Sequence, residues 1–296
     1  MASRLPRPSV LNAESIRMNA VTALGWLETN ALSAAPDLAV ALSDEYHFVR
    51  FSSAQLLKTF GPSARATLPT LLLSLQSTNA VIADNVIGVV VSVGRDQPEA
   101  IRSLAALLGM PDPVKVRVLE VFSRFGKPAE AAEGAISSLL ASTNLSVKAG
   151  AVCALWEIVP SRQVELFPEM EGLASQEKSL RLLVGLKMVQ MQPLTPQAGE
   201  LLATLVREGN DGFCWSAFGA LGKRGIDASN SVPALFAGLE AKNPRVAAKA
   251  AEALGDVAAS EPLTLRCLEK AERHEHLMVR DAAREALTKL QSRLER

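Results

Sequence analysis

The sequence predicts an all-α protein, a curved α-solenoid of about nine stacked two-helix repeats. Three observations lead to this fold class. A hydrophobic pattern returns every 33 residues, Ala and Leu are abundant while aromatic residues make up 4%, and glycine or proline stands at the ends of the expected helices. Such a composition favours helices over strands. Self-similarity at a fixed period of this length is typical of repeat architectures.

The repeat is clearest in the stretch VRFSSAQLLKTFG, residues 49–61, which returns in similar form as RVLEVFSRFG and VRDAAREALTKLQ. With Val49 as position 0, equivalent positions are 33 residues apart, with one step of 32. The repeats then begin at Ile16, Val49, Ile82, Val114, Val147, Leu180, Phe213, Val246 and Val279. Residues 1–15 are predicted to be an N-terminal cap or a linker remnant, and residues 16–296 the repeat array.

Each repeat opens with an amphipathic helix. Its offsets 0, 4 and 8 are mostly small or apolar, as in Val49, Ser53 and Leu57, and these offsets lie along one stripe of a helix. Four repeats place glycine just after the last periodic residue: Gly61, Gly94, Gly126 and Gly225. Glycine ends a helix there because it adopts the left-handed conformation without a Cβ clash.

A second helix follows in each repeat, with leucine at offsets 22 and 26 in most repeats. Proline is expected near the start of this helix, where a missing N–H costs least, at Pro36, Pro69 and Pro233. The fifth repeat, around Phe167 to Leu173, fits this pattern worst. One helical hairpin cannot bury its apolar faces alone, so neighbouring repeats should stack into one continuous core.

The two ends of the array differ. Arg284 occupies an offset that is uncharged in the other repeats, which indicates a solvated cap. Before Ile16 there is little room for a full helix. Either residues 9–14 form a short cap, or a preceding domain or a second chain covers the first repeat.

The pattern resembles HEAT-like repeats, particularly the short class named after phycobilisome lyases. The resemblance rests on Val49-Arg50, Leu57, Gly61-Pro62 and Leu68-Pro69, and on VAAKAAEALG at residues 246–255. It extends from about Ile16 to Leu290. It implies that the first helices line the concave side, and that the arginine at offset 1 ties neighbouring repeats together by pairing with acidic turn residues such as Asp44. The T-P-L-H tetrad of ankyrin repeats and the Trp, Gly and Tyr pattern of tetratricopeptide repeats are absent.

Charge gives no overall attraction to nucleic acid or to an anionic membrane, since 31 basic residues balance 31 acidic ones. DNA-repair glycosylases also use HEAT-like stacks, and offset 1 carries a basic ladder: Arg17, Arg50, Lys115, Lys148, Arg181 and Arg280. Three repeats interrupt this ladder with Ala83, Cys214 and Ala247. Nucleic-acid binding is therefore a second alternative, and the structural role of the arginines is favoured.

The residues that carry enzyme chemistry are sparse. His274-Glu275-His276 has alternate residues that point apart on a helix, unlike a zinc-binding HExxH pair. HEAT-repeat deoxyhypusine hydroxylases use several His-Glu pairs around two irons, and this chain has one. No histidine lies in the repeats of Cys153 and Cys214 to activate a thiolate. We expect no enzyme activity, metal or cofactor; the alternative is an enzyme or enzyme subunit of the phycobilin-lyase-like class.

Three widely spaced cysteines make a disulfide scaffold improbable and favour a reducing, cytoplasmic location. The first 15 residues lack the apolar run of a signal peptide. The sequence also contains no stretch of about 20 uncharged apolar residues, the length needed to span a bilayer.

Outward positions of the first helices, offsets 2, 3, 6, 9 and 10, are more apolar in the middle of the chain than at either end. The predicted partner-binding residues are Trp156, Leu182, Leu186, Val189 and Trp215, with Phe51, Arg117 and Arg124 in the earlier repeats. An exposed apolar surface of this kind usually marks an interface. The hypothesis is a non-catalytic scaffold that binds a peptide or a helix of another protein on its concave surface. The alternative is that helix rotation buries these side chains in the core.

Overall fold

The computed structural model describes residues 12–176, 178–190, 194–258 and 261–294. Helices and turns account for these residues, and no strand occurs in them. The chain divides into two compact units, Met1–Pro160 and Ser161–Arg296. The all-α prediction is confirmed, and each unit is a stack of helical pairs.

In the N-terminal unit, first and second helices of the repeats alternate along the chain. They are α1 (Ala13–Trp26), α2 (Ala35–Ala41), α3 (His47–Phe60), α4 (Leu68–Ser74), α5 (Ala80–Gly94), α6 (Pro98–Leu107), α7 (Asp112–Phe125), α8 (Glu133–Ser137) and α9 (Leu145–Ile158). Short 3₁₀ segments lead into or extend several second helices: Glu28–Ala34, Gly61–Thr67, Lys127–Ala132 and Ser138–Ala141.

The C-terminal unit continues the alternation. Its helices are α10 (Gln163–Gln176), α11 (Lys178–Val189), α12 (Pro196–Arg207), α13 (Asp211–Arg224), α14 (Val232–Leu239), α15 (Pro244–Val257), α16 (Pro262–Ala271) and α17 (Leu277–Leu294). A 3₁₀ segment, Gly225–Ser231, precedes α14, and another, Pro160–Arg162, precedes α10. The poorly fitting fifth repeat forms its second helix, α10, with Pro168 inside it. Met170 is buried there, and Glu169 at the predicted core offset is half-buried.

First helices stack on first helices within each unit. In the N-terminal unit α1, α3, α5, α7 and α9 pack in succession, and in the C-terminal unit α11, α13, α15 and α17 do the same. The second helix of one repeat also packs on the first helix of the next, as α2 does on α3 and α14 on α15. This arrangement places the core between the two helix rows, as the repeat pattern requires.

The predicted core offsets are confirmed from the second repeat to the ninth, where offsets 4 and 8 of the first helix are buried in every repeat. The first repeat differs, since Ile16 is 55% exposed on α1 and Ala20 is exposed too. Among the described residues, no helix packs on the side of α1 that faces away from α3. Most of the predicted N-terminal cap, residues 1–11, lies outside the described residues. At the other end Arg284 is solvated, with its side chain 61% exposed.

Three of the four predicted glycine stops are confirmed: Gly61, Gly126 and Gly225 all have φ between +52° and +64°. Gly94 is a correction, because it is the last residue of α5 and has no positive φ. A Cβ at Gly94 would lie 3.1 Å from the side chains of Ala100 and Leu68, so close packing explains this glycine. The prolines Pro36, Pro69 and Pro233 lie in the first turns of α2, α4 and α14, as predicted.

Candidate functional site

The first helices α11, α13 and α15 form one continuous face of the C-terminal unit. Successive helices of this row pack on one another, so residues at equivalent offsets become lateral neighbours, with helix axes about 8–10 Å apart. Leu182 and Leu186 on α11 are 39% and 45% exposed, and Trp215 on α13 is 49% exposed. Leu182 and Trp215 occupy the same offset in adjacent repeats. We call these exposed side chains the first-helix face.

Trp215 stands beside a groove between α13 and α15. The groove has a volume of about 600 Å³, and small residues of α13, Gly219, Ala220 and Gly222, line one side of it. The ammonium of Lys249 lies 5.6 Å from the centre of the Trp215 ring, which is cation–π range. Lys249 also forms an ion pair with Glu252, with Nζ 2.5 Å from Oε2. The exposed indole of Trp215 therefore lies beside an open groove that has Lys249 and Glu252 at its edge.

Cys214 precedes Trp215 and points the opposite way, into the core. Burial, with a contribution from the negative charge of Asp211, raises the pKa of the Cys214 thiol to about 11. A thiol with such a pKa is almost entirely protonated near neutral pH, and the protonated thiol is a poor nucleophile. This cysteine therefore packs as a small apolar residue.

Two predicted contact residues are not exposed. Trp156 is fully buried and Val189 is 4% exposed, so the expectation that they face outward is wrong. Both occupy offset 9, and in later repeats of the C-terminal unit this offset turns toward the next first helix. Glycines at the same offset show this geometry, because a Cβ at Gly222 would lie 3.5 Å from the Cα of Ala253, and one at Gly255 would lie 2.8 Å from the Cα of Ala286.

The other predicted contact residues of the N-terminal unit lie on α3 and α7 and have different surroundings. Phe51 on α3 is 55% exposed. Arg117 on α7 donates from Nη1 to the carbonyl oxygens of Leu75 and Ser77, at 3.0 and 2.7 Å, so it braces the chain after α4. Arg124 forms an exposed ion pair with Glu120 at 2.5 Å. Among these three, Phe51 is an exposed side chain without a polar partner to hold it, and a role in binding stays a prediction for all of them.

Arginines of the basic ladder at offset 1 hold the turns that connect successive repeats, and Arg17 pairs with Asp44 as the resemblance implied. Arg17 pairs with Asp44 in the turn before α3, with Nε 2.6 Å from Oδ2. Arg50 donates to the carbonyl oxygens of Asp44 and Glu45 at 2.7 and 2.8 Å. Arg280 makes the same pair of bonds before α17, and Arg181 pairs with Glu208. These guanidinium groups are engaged within the protein.

Asparagines form a second set of links that the sequence analysis missed. Asn144 and Asn243 cap α9 and α15 by accepting from backbone N–H groups. Their amide nitrogens also donate to a carboxylate in the preceding repeat, at 3.0 Å to Asp112 and 2.8 Å to Asp211. The signal was present in the sequence, because each asparagine follows its aspartate by 32 residues.

The histidine cluster lies in the turn before α17, where His274 Nδ1 accepts from the backbone N–H of His276 at 3.1 Å. Within the described ranges, no group of three or more His, Cys, Asp or Glu side chains is placed to hold a metal ion. Cys153 and Cys214 are buried, and Cys267 is partly exposed. None of the helices that the structure describes is both long enough and apolar enough to cross a membrane.

Stacked antiparallel helical pairs of this kind define an α-helical repeat protein. Residues 198–288 match the family model described as HEAT repeats. The matched residues lie within the C-terminal unit and make up about a third of the chain. The finer resemblance to the phycobilisome-lyase class stays a prediction. No curated protein sequence is significantly similar to this chain.

Solved structures share the fold. YibA of Escherichia coli is 14% identical, with a TM-score of 0.58, over 97% of this chain and 99% of that one. Kap121p, in a structure bound to Ste12p, is 14% identical with a TM-score of 0.56, over 96% of this chain and 37% of that one. Kap95p, in a structure with RanGDP, gives 15% identity and a TM-score of 0.55, over 95% and 44%. At these identities the similarity shows the fold alone, and this chain spans less than half the length of either Kap protein.

Proposed function

We propose that this chain is a non-catalytic scaffold that binds another protein, and that a peptide or helix of that protein docks on the first-helix face. The observation that carries the proposal is the exposure of Trp215 beside Leu182 and Leu186 on adjacent helices. Tryptophan is over-represented among residues that anchor protein interfaces. Exposed apolar side chains that lie on adjacent helices form a continuous patch, and such a patch is typical of an interaction surface.

The electrostatic surroundings of Trp215 support the same function. Lys249 and Glu252 stand at the margin of the groove, and charged groups at the rim of an apolar patch favour specificity and orientation of a partner. On the α13 side the groove is lined by small residues, among them Gly219 and Ala220, and small lining residues leave room for a side chain of the partner. Kap121p, of the same fold, is bound to Ste12p in its solved structure, and the proposal extends this mode of use to the present chain.

The test is affinity capture from an extract of the source cell, comparing wild type with a Leu186→Ser, Trp215→Ala variant. A matched control carries Leu263→Ser and Trp26→Ala, which alter a 59% exposed leucine on a second helix and an 81% exposed tryptophan on α1. We expect at least one protein to be captured by wild type and control, and to be depleted about tenfold or more with the first-helix variant, as loss of a tryptophan anchor implies. Identical captured sets for all three proteins would remove the proposal, provided that all three give the same helical circular dichroism.

A further inference from the structure

A second groove lies on the opposite helix row of the C-terminal unit, among the second helices α12, α14 and α16. The helix α14 packs closely on α12, whereas α14 and α16 are not a closely packed pair. This separation leaves a groove of about 1060 Å³, larger than the groove beside Trp215. We call it the second-helix groove.

The floor of the second-helix groove is apolar. Pro233, Phe236, Ala237 and Leu239 of α14 line it, and each is half-buried. The helix α14, with the sequence VPALFAGL, has no charged residue. A half-exposed phenylalanine between two charged helices offers a site where one apolar side chain of a ligand could be buried.

The walls of the groove carry three exposed arginines. Arg207 at the end of α12, Arg266 on α16 and Arg273 just after α16 are exposed. None of them makes an ion pair or a side-chain hydrogen bond within the part of the chain that the structure describes. The fourth basic residue, Lys270, is already paired with Glu240, with Nζ 2.9 Å from Oε1.

The acidic residues of the groove limit the kind of anion that fits. Glu269 lies three residues after Arg266 on α16, so these two side chains share one side of the helix, and all of Arg266, Glu269 and Arg273 line the groove. Glu200 lines the groove near the start of α12. A polyphosphate backbone would meet both carboxylates and an apolar floor, whereas a peptide can place a few carboxylates opposite the arginines and an apolar side chain on Phe236.

We propose that the second-helix groove binds an acidic, amphipathic peptide segment of a partner protein. An apolar side chain of the peptide packs on Phe236, and aspartate or glutamate side chains accept hydrogen bonds from Arg207, Arg266 and Arg273. Guanidinium groups suit this role because they bind carboxylates in a bidentate manner. The surface is independent of the first-helix face, so one scaffold can hold two different segments.

The test is selection from a phage-displayed library of random dodecapeptides on three forms of the full chain. These are wild type, a charge-reversed variant with Arg207→Glu, Arg266→Glu and Arg273→Glu, and a matched control. The control, with Arg65→Glu, Lys127→Glu and Arg245→Glu, undergoes the same change of net charge at exposed sites outside the groove. All six altered residues are exposed, so substitution is expected to leave the fold intact.

We expect wild type and control to select peptides enriched in Asp and Glu around an apolar residue, and the charge-reversed variant to lose them. In fluorescence anisotropy a selected peptide should bind the charge-reversed variant more than tenfold more weakly, and added salt should weaken its binding to wild type. Absence of any selected peptide, selection without acidic enrichment, or equal binding to all three proteins would overturn the proposal. Binding of a duplex or single-stranded oligonucleotide that requires the same three arginines would also overturn it, and would assign the groove to nucleic acid.

Discussion

The first helices of the two units share one framework but expose different side chains. In the N-terminal unit, the outward offsets carry mainly polar residues: Gln55, Asp84, Glu120 and Arg124. In the C-terminal unit, the same offsets of α11 and α13 carry exposed apolar residues: Leu182, Leu183, Leu186 and Trp215. Exposed aromatic residues occur in the N-terminal unit too, Phe51 on α3 and Trp26 on α1, but they lie on helices that are not adjacent to an exposed leucine pair like that of α11.

This contrast separates the positions that build the fold from those that are free to vary. Offsets 4 and 8 are buried in both units because each helix must pack on the second helices and on its neighbours in the row. Offsets 2, 3 and 6 can carry any side chain that solvent or a partner tolerates. The difference between the units is therefore a difference of surface on a constant scaffold, and surface is where binding specificity arises.

The largest expected effect comes from truncating a buried and an exposed tryptophan and comparing the losses of stability. Trp156 is fully buried, so Trp156→Ala should lower the free energy of unfolding by about 3–5 kcal/mol, the usual cost of a large aromatic cavity. Trp26→Ala removes the same side chain from an 81% exposed site and should change stability by less than about 0.5 kcal/mol. Urea denaturation followed by circular dichroism measures both. Similar losses for the two variants would contradict the assignment of offset 9 to the interior.

A smaller effect is expected at a close approach of backbones in the C-terminal unit. A Cβ at Gly199 in α12 would lie 1.7 Å from the carbonyl oxygen of Asn230. The side-chain amide of Asn230 also donates to the carbonyl oxygen of Leu194, just before α12, at 2.6 Å. This bond holds Asn230 close to α12. Gly199→Ala should therefore cost about 1–3 kcal/mol through overpacking.

The control for Gly199 is Gly134 in α8, where an added Cβ would meet nothing within 4 Å. Gly134→Ala should be neutral or should stabilise the protein by up to about 1 kcal/mol, since alanine is the better helix former. Thermal denaturation of the two variants side by side decides the question. If Gly199→Ala were as stable as Gly134→Ala, the close approach of α12 and the segment before α14 would be refuted.

The sequence predicted the framework well because the core pattern repeats many times. Each repeat samples the same offsets, so a chance hydrophobic residue in one repeat does not change the assignment. Prediction failed at offset 9, where a single helix considered alone faces outward. Packing against the next helix in the row decides this position, as the contacts of Gly222 and Gly255 show, and a one-helix pattern cannot contain that information.

The candidate binding residues were predicted only in part for the same reason. Leu182, Leu186 and Trp215 occupy offsets 2 and 6 and are exposed. Ala149, Cys153 and Ala248 lie at the same offsets and are buried, so the offset alone does not decide exposure. The second-helix groove had no sequence signal, because it arises from the spacing between α14 and α16 and not from a residue pattern. Unequal spacing of successive helices depends on the side chains of several repeats at once.

The arginine links of the N-terminal unit should give a pH dependence of stability. Although burial alone would raise it, the pKa of Asp44 lies below its ordinary value of 3.8, because Arg17 and the Tyr46 N–H donate to it and two arginines are near. A lowered folded-state pKa contributes stability above the unfolded-state value, and this stability is lost as the pH falls through the folded-state pKa.

Wild type should lose stability as the pH falls from about 4 through the folded-state pKa of Asp44. In Asp44→Asn this drop in the free energy of unfolding should be smaller, by less than about 1 kcal/mol. Asp96→Asn, at an exposed turn before α6, serves as the control and should follow wild type. Urea midpoints measured from pH 5 downward provide the comparison. An acid profile of Asp44→Asn that superimposes on that of wild type would show that the Arg17–Asp44 link contributes nothing to stability.

The smallest expected effect concerns how Trp215 is kept in place on the first-helix face. The ammonium of Lys249 lies 5.6 Å from the centre of the Trp215 ring. A double-mutant cycle of Trp215→Leu and Lys249→Met, in the free energy of unfolding from urea denaturation, should therefore give a favourable coupling energy of about 0.5 kcal/mol. A parallel cycle with Glu252→Gln in place of Lys249→Met should give almost no coupling, because that carboxylate contacts the lysine and not the indole. Equal coupling in the two cycles would mean that Trp215 senses general surface charge. A coupling confined to Lys249 would mean that the indole is already oriented by its neighbour, so that a partner meets a preorganised anchor and loses less conformational entropy on docking.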